Sequence, residues 1–326
     1  MLHNYYGTSW LGKILIFADK LTSSMIIYAL LGLTLLLAFV SLRLIWKAGS
    51  RPLRVSYSYL VAGISLGLFL YLYGTWVYLS IYANYLFGIL ALLFLFTGIF
   101  RKKNKAAVAP ASWRFRANLL MSMLLLGLTV LYFTGTTGSS DVVSLSFPFK
   151  KGNYFVLQGG KGLPTNVFHF SLRGAVYAMD IVKLNQYGGR ADKVFSKRLS
   201  DYEIFGDTLY APCNGRIVRA YSNNPDNIPP NMKRGPKNTN QVLLETDSTY
   251  IFMGHLQMNS VLVRDGQEVV AGQPLACIGN SGFSTEPHLH IQVHRRQEGI
   301  PWYLGRPMYI HFNGEGYLLN EVIHNR

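Results

Sequence analysis

From Val55 to Phe100 the chain runs without a single charged residue, and few folds can house such a stretch. An α-helix rises 1.5 Å per residue, so roughly 20 apolar residues cross a hydrocarbon core of about 30 Å. The stretch is long enough for two crossings, joined as a tight hairpin whose turn falls between Gly74 and Asn84. Leu21 to Leu42 and Ala117 to Ser140 are also uncharged and apolar, which gives four expected spans at about 21–42, 55–75, 80–100 and 117–138. A cleaved signal peptide does not explain the first run. It is too long for an h-region, and further spans follow it instead of a small-residue cleavage site.

Charge divides the chain at about residue 140. The part before it holds twelve Lys/Arg and one acidic residue, Asp19, a balance of +11 within the total of +15. Such basicity invites a nucleic-acid reading, but ten of the twelve charges sit in two short blocks between the apolar runs. These are Arg43, Lys47, Arg51 and Arg54, then Arg101, Lys102, Lys103, Lys105, Arg114 and Arg116. Their placement is topological, and no nucleic-acid partner is expected. Positive loops stay in the cytoplasm, which puts both termini and everything after the fourth span on the outer side of a bacterial cytoplasmic membrane. Trp10, Trp46, Trp76 and Tyr78 lie near expected span ends, where interfacial anchors sit. No span carries an ionisable acid or base that would mark an ion pathway, so residues 1–140 read as a four-helix anchor in the bilayer.

Residues 141–326 change character. Short runs rich in Val, Ile, Tyr and Leu alternate with Gly, Asn, Asp and Pro, the pattern of many strands and turns. Expected strands are Tyr154 to Gln158, Val176 to Lys183, Gly215 to Tyr221, Gln241 to Glu245, Tyr250 to Leu256 and Gln273 to Ile278. Ser222 to Asn240 is a polar insertion carrying Lys233, Arg234 and Lys237, expected as a surface loop.

Within this half, Gly279 to His294 (GNSGFSTEPHLHIQVH) opens as a Gly/Ser turn and becomes an alternating run. His288, His290, Gln292 and His294 would share one strand face, roughly 6 to 7 Å apart, so one imidazole can bind a metal while its neighbour stays free. Asp180 sits in the apolar run YAMDIV, where a lone carboxylate is costly unless it is paired or metal-bound. His255 lies in FMGHL and His169 in NVFHF. Two His and one Asp form a zinc site with an open fourth position, which is the catalytic pattern.

The runs YAMDIV, FMGHL, VRDGQEVVAGQPLACIGNSG and EPHLHIQV follow one another in the order and spacing of the lysostaphin- or LytM-like zinc metallopeptidases, and this half resembles that family from roughly 150 to 313. The resemblance implies an antiparallel β-sheet with a groove for a cell-wall peptide, and one Zn²⁺ per chain. It further implies Asp180 and His290 as zinc ligands, with His255 and His288 acting on the reacting carbonyl and water. In the commonest form of the family the first ligand precedes the aspartate by four residues, whereas His169 precedes Asp180 by eleven. An odd separation cannot place both on one face of a regular strand, so either the SLRG segment loops out or His169 sits on a preceding element. Some family members carry this stretched form with an Asn upstream, the place Asn166 takes here. No other histidine lies between the fourth span and Asp180, so a first His ligand is expected to be His169.

A bound Zn²⁺ lowers the pKa of a water to about 7 and polarises a carbonyl, and a neutral imidazole nearby moves the proton. The chain has no H-E-x-x-H, which leaves His255 and His288 as candidate bases. His294 reads as a rim or supporting residue, while His3, His311 and His324 lack context. Cys213 and Cys277 are expected on the outer side, as a disulfide or as two buried thiols. After Pro301, a segment with Trp302, Tyr303 and Tyr309 is expected to pack on the sheet. Three function classes compete: an anchored wall endopeptidase, a silent relative that binds or regulates wall machinery, and a four-span transporter with a sensor domain. Retention of Asp180, His255, His288 and His290 favours the first.

Overall fold

The computed structural model describes residues 10–104, 111–138, 141–170, 173–231 and 238–325, with side chains from residue 27 onward, 54, 55 and 173 excepted. His3, Lys105, Lys233, Arg234, Lys237 and the Ser171–Leu172 part of SLRG lie outside the described residues, as does the side chain of Trp10.

Four long helices come first: α1 (Trp10–Gly49), α2 (Leu53–Tyr73), α3 (Ile81–Phe100) and α4 (Ser112–Thr134). All four are long and apolar enough to cross a membrane. Helix α1 extends past the expected run at both ends, through Lys13, Asp19 and Lys20 and through Arg43 and Lys47, because nothing in the sequence breaks the helix there. Helix α4 starts and stops earlier than expected. Gly135 ends it with φ +68°, its N–H bonding to the Leu131 carbonyl. Large apolar side chains on α1, α3 and α4, such as Phe39, Leu92, Ile99 and Leu124, point outward, as they would toward acyl chains. Helices α1 and α3 approach closely at Gly49 and Gly98, where a Cβ on Gly49 would come within 2.7 Å of the Gly98 Cα.

The rest is mainly antiparallel β. In chain order the strands are β1 (Val142–Leu145), β2 (Gly152–Gln158), β3 (Met179–Leu184), β4 (Thr208–Tyr210), β5 (Gly215–Tyr221), β6 (Gln241–Glu245), β7 (Thr249–Gly254), β8 (Glu268–Val269), β9 (Pro274–Cys277), β10 (Leu289–Arg295), β11 (Pro307–Phe312), β12 (Glu315–Gly316) and β13 (Val322–Asn325). A one-turn helix α5 (Val167–Phe170) precedes β3. The large sheet runs β13-β2-β3-β10-β7-β6-β5-β8, with β11 joining β10 and pairing β1 and β12. Strand β1 pairs β11 in parallel. Met179, Ile181, Val242, Leu244, Ile251, Met253, Leu289 and Ile291 form one continuous core under the sheet, since alternate residues of paired strands share a face. The C-terminal segment packs on the sheet as expected through β11. Trp302 stacks on Phe252, with ring centroids 5.1 Å apart and planes at 10°. Cys213 and Cys277 are both free thiols.

Helices and sheet touch at the hairpin between α2 and α3. Val77, in a short turn over Trp76–Tyr78, joins Phe155, Val182 and Leu184 in a second apolar cluster on the far side of the sheet. The Ser80 hydroxyl donates to the Tyr187 carbonyl at 2.6 Å, and the Ile81 N–H donates to the Gly188 carbonyl at 2.8 Å. Trp76, expected as a membrane anchor, instead stacks on Phe87 and donates to the Leu70 carbonyl at 2.7 Å. Tyr78 meets Arg190.

Candidate metal centre and active site

Strand pairing assembles the site. Register places Asp180 of β3 opposite His290 of the central strand β10, and His290 opposite Gly254, the last residue of β7, on the other side. His255 therefore follows the strand instead of lying within it, as the sequence reading had it. It takes φ +64°, the left-handed region that a non-glycine residue enters only at a cost, and its ring comes to 4.7 Å from that of His288. His169 sits on α5, a preceding element, and is buried. Its ring lies 4.9 Å from that of His290.

Ligand atoms of His169, Asp180 and His290 all lie within 4.8 Å of one another. Their hydrogen bonds decide which ring nitrogens face inward. The Asn166 amide donates to the Val176 and Ala178 carbonyls, so its oxygen faces His169 and accepts from Nδ1 at 2.8 Å. This leaves the Nε2 lone pair of His169 turned to Asp180 Oδ2 at 3.4 Å. On β10 the run of hydrogen bonds starts at a backbone carbonyl: Gly305 O accepts from His294 Nδ1 at 3.0 Å. His294 Nε2 then accepts from the Gln292 amide at 3.1 Å, and the Gln292 oxygen accepts from His290 Nε2 at 2.9 Å. Neutral His290 thus keeps its lone pair on Nδ1, 3.0 Å from Asp180 Oδ1. His294 is fully buried, so it supports the site from beneath and does not line a rim.

Two imidazole lone pairs therefore aim at one carboxylate, and such a cluster requires a cation. Burial disfavours the charged form of His169 and lowers its pKa to about 4, against the pull of Asp180. A proton is thus a poor cation for that position. Burial alone would raise the Asp180 pKa, but the imidazoles of His169, His288 and His290 around it hold it well below the usual range. Donor atoms about 2.0 to 2.1 Å from a tetrahedral zinc lie about 3.3 Å apart, close to the 3.0 and 3.4 Å separations found here. The donor set fits Zn²⁺.

The other two imidazoles are held by their Nδ1 atoms. His255 donates to the Ser281 carbonyl and His288 to the Glu286 carbonyl, each at 2.8 Å. Burial and the neighbouring His288 and His290 push the His255 pKa well down. Burial opposes charge on His288 as well, but the Asp180 carboxylate, with hydrogen bonds from His288 to Asp180 and to the Glu286 carbonyl, raises its pKa. His255 therefore presents a neutral Nε2, while His288 holds a proton more readily.

Residues 200–301 match the sequence pattern of Peptidase family M23. The chain carries an M23 peptidase domain. The matched stretch includes His255, His288 and His290, while His169 and Asp180 precede it. No curated protein matches the chain. Among solved structures the chain is similar to the antimicrobial peptidase lysostaphin from Staphylococcus simulans, at 21% identity over 50% of this chain and 50% of that one, with TM-score 0.29. It is also similar to a zinc containing peptidase from Vibrio cholerae, at 21% identity over 51% of this chain and 39% of that one, with TM-score 0.30. A third is a putative peptidase M23 from Pseudomonas aeruginosa, at 15% identity over 60% of each chain, with TM-score 0.27. The chain spans about half the length of two of the lysostaphin structures it matches.

The M23 domain also uses residues that the sequence reading passed over. Asn227 donates to the Gly282 and Ser284 carbonyls, and Asn240 donates to the Leu256 carbonyl while its N–H reaches the Ser281 hydroxyl. The described ends of the polar insertion thus clamp the loop that holds His255. Gly282 turns that loop with φ +76°, and a Cβ there would collide with Thr239. Arg190 and Glu286 form a buried pair beneath the same loop. The Asn-rich composition of the insertion was visible in the sequence, but the carbonyls it serves are not encoded locally.

Proposed function

We propose that the chain is a membrane-anchored zinc metalloendopeptidase that cleaves peptide bonds in peptidoglycan stem peptides or cross-bridges outside the cytoplasmic membrane. The observation that carries this reading is the convergence of three lone-pair donors, His169 Nε2, Asp180 and His290 Nδ1, with two further imidazoles beside them. Residues 1–140 act as the anchor and residues 141–326 as the enzyme, with both termini outside and the basic 43–54 and 101–116 loops inside.

His169, Asp180 and His290 would hold one Zn²⁺, and Asn166 and Gln292 orient the two imidazoles. When bound, the ion supplies Lewis acidity, which polarises a peptide carbonyl and makes a water acidic near pH 7. His255, neutral and fixed by Ser281, is placed to accept the proton of the attacking water at Nε2. His288, whose Nε2 lies 3.4 Å from Asp180 Oδ1, is placed to hold a proton against the developing oxyanion and to return one to the leaving amine. The Phe252–Trp302 stack walls one side of His290 and His294.

The test is release of peptide fragments from purified peptidoglycan by the full chain in detergent. His255→Ala and His288→Ala should each keep zinc and lose about 10² to 10⁴ in rate. Cleavage that survives both substitutions would refute these roles.

A further inference from the structure

The loop that presents His288 is held from the helical part of the molecule. Arg190, only 2% exposed, donates from Nε and Nη2 to the two carboxylate oxygens of Glu286 at 2.7 and 2.8 Å. Its guanidinium carbon lies 4.1 Å from the centre of the Tyr78 ring. The backbone carbonyl of Glu286 accepts the Nδ1 proton of His288 at 2.8 Å. Tyr78 stands outside the M23 match, in the turn between α2 and α3 that Val77, Ser80 and Ile81 fasten to the sheet.

We propose that Tyr78 is a positioning residue for His288, and that the hairpin of the anchor is therefore part of the peptidase machinery and not only a tether. The proposal rests on the role given to His288 above. A buried ion pair is stable only where its geometry is good and its remaining donors are satisfied. The guanidinium fork meets the carboxylate with two parallel bonds, which fixes the plane of Glu286. The Tyr78 ring covers the guanidinium face, a flat stack that a planar cation can make while its edge forks onto a carboxylate and a tetrahedral ammonium cannot. The side chain of Glu286 is thereby pinned, its carbonyl has one direction, and the His288 imidazole is aimed at Asp180. Without the ring the guanidinium can tilt, and the tilt passes through two hydrogen bonds to the imidazole.

The experiment compares Tyr78→Leu, which keeps apolar volume but removes the ring, with Tyr78→Phe, which keeps the ring. Both are made in the full chain in detergent. Tyr78→Leu should lower kcat for peptide release on the order of ten- to a hundredfold, the cost of a small misplacement of a reacting group, with KM and zinc content unchanged. Amide hydrogen exchange across residues 281–288 should become faster, and Tyr78→Phe should restore both readouts. Wild-type kcat together with wild-type exchange in Tyr78→Leu would overturn the proposal. Should the wild-type chain cleave no peptidoglycan, the peptidase reading fails by itself and exchange alone decides the coupling: faster exchange in Leu and not in Phe supports it, and unchanged exchange overturns it. Should Tyr78→Leu fail to fold, Arg190→Lys is judged on the same readouts. An ammonium keeps the charge but neither stacks nor bonds both oxygens, so the same loss supports the link and wild-type behaviour overturns it.

Discussion

Gln292 and His294 show how much of a metal centre lies behind its ligands. Their bonds run from a backbone carbonyl at Gly305 to His290 Nε2, and they alone fix which nitrogen of His290 faces Asp180. Replacing Asp180 by Ala should abolish zinc binding. Gln292→Leu, which frees the His290 ring, should weaken zinc affinity about 10- to 100-fold in a chelator competition while the fold stays intact. His169→Ala should also lose the metal, and full zinc occupancy in that variant would remove His169 from the ligand set. The same residues give the zinc-free chain a pH dependence. His169 has a folded pKa of about 4 against 6.5 unfolded, so between these values the unfolded chain binds more protons and stability falls as pH drops. His255 acts with the same sign. Asp180, with its lowered pKa, adds stability above the unfolded carboxylate range that is lost only at more acid pH. His288, whose pKa is raised, contributes stability that is fully present below pH 6.5 and is lost only as pH rises above it, so it leaves this window unchanged. The melting midpoint of the zinc-free chain should therefore fall from pH 6.5 to 4, and a midpoint that rises over this range would contradict the assignment.

At the scale of elements, β10 was legible because its alternation is local: Leu289, Ile291 and Val293 face the core while His290, Gln292 and His294 share the other face. The four helices were legible for the same reason, since an uncharged run needs no partner to be recognised. Asp180 and His290 were legible as separate signals, and the sheet register joined them. What stayed hidden depends on distant backbone. The end of β7 before His255 follows from a positive φ carried by the histidine itself and not by the adjacent Gly254. Arg190 reads in sequence as one basic residue among many, and only its distance from Glu286 and Tyr78 sets it apart. The hairpin turn is the element most easily misread, because Trp76 and Tyr78 have the composition of membrane anchors yet make protein contacts. Val77 is 2% exposed against Phe155, Val182 and Leu184. Val77→Asp buries an unpaired charge there and should destabilise the sheet by on the order of 3 kcal/mol. A thermal melt of the full chain reads this, and an unchanged midpoint would mean that the hairpin does not seat on the sheet.

The whole molecule joins an apolar helical end to a domain whose reactive groups converge on one sheet face. For the proposed topology, in which the four helices cross with the basic blocks inside and the M23 domain outside, a thiol label that cannot cross membranes should reach a cysteine placed at the C-terminus of intact cells but not one placed between residues 43 and 54. Protection of the C-terminus would invert the topology and remove the wall as substrate. His169, Asp180 and His290 are proposed to hold a zinc ion that this chain uses for hydrolysis. The most direct measurement is peptide release from purified peptidoglycan of several cross-bridge types by the full chain in detergent, before chelation, after chelation and after zinc is returned. Zinc-dependent hydrolysis predicts cleavage that the chelator abolishes and stoichiometric zinc restores. A zinc-loaded chain that cleaves none of these walls, or cleavage that persists through chelation with the metal gone, would contradict it.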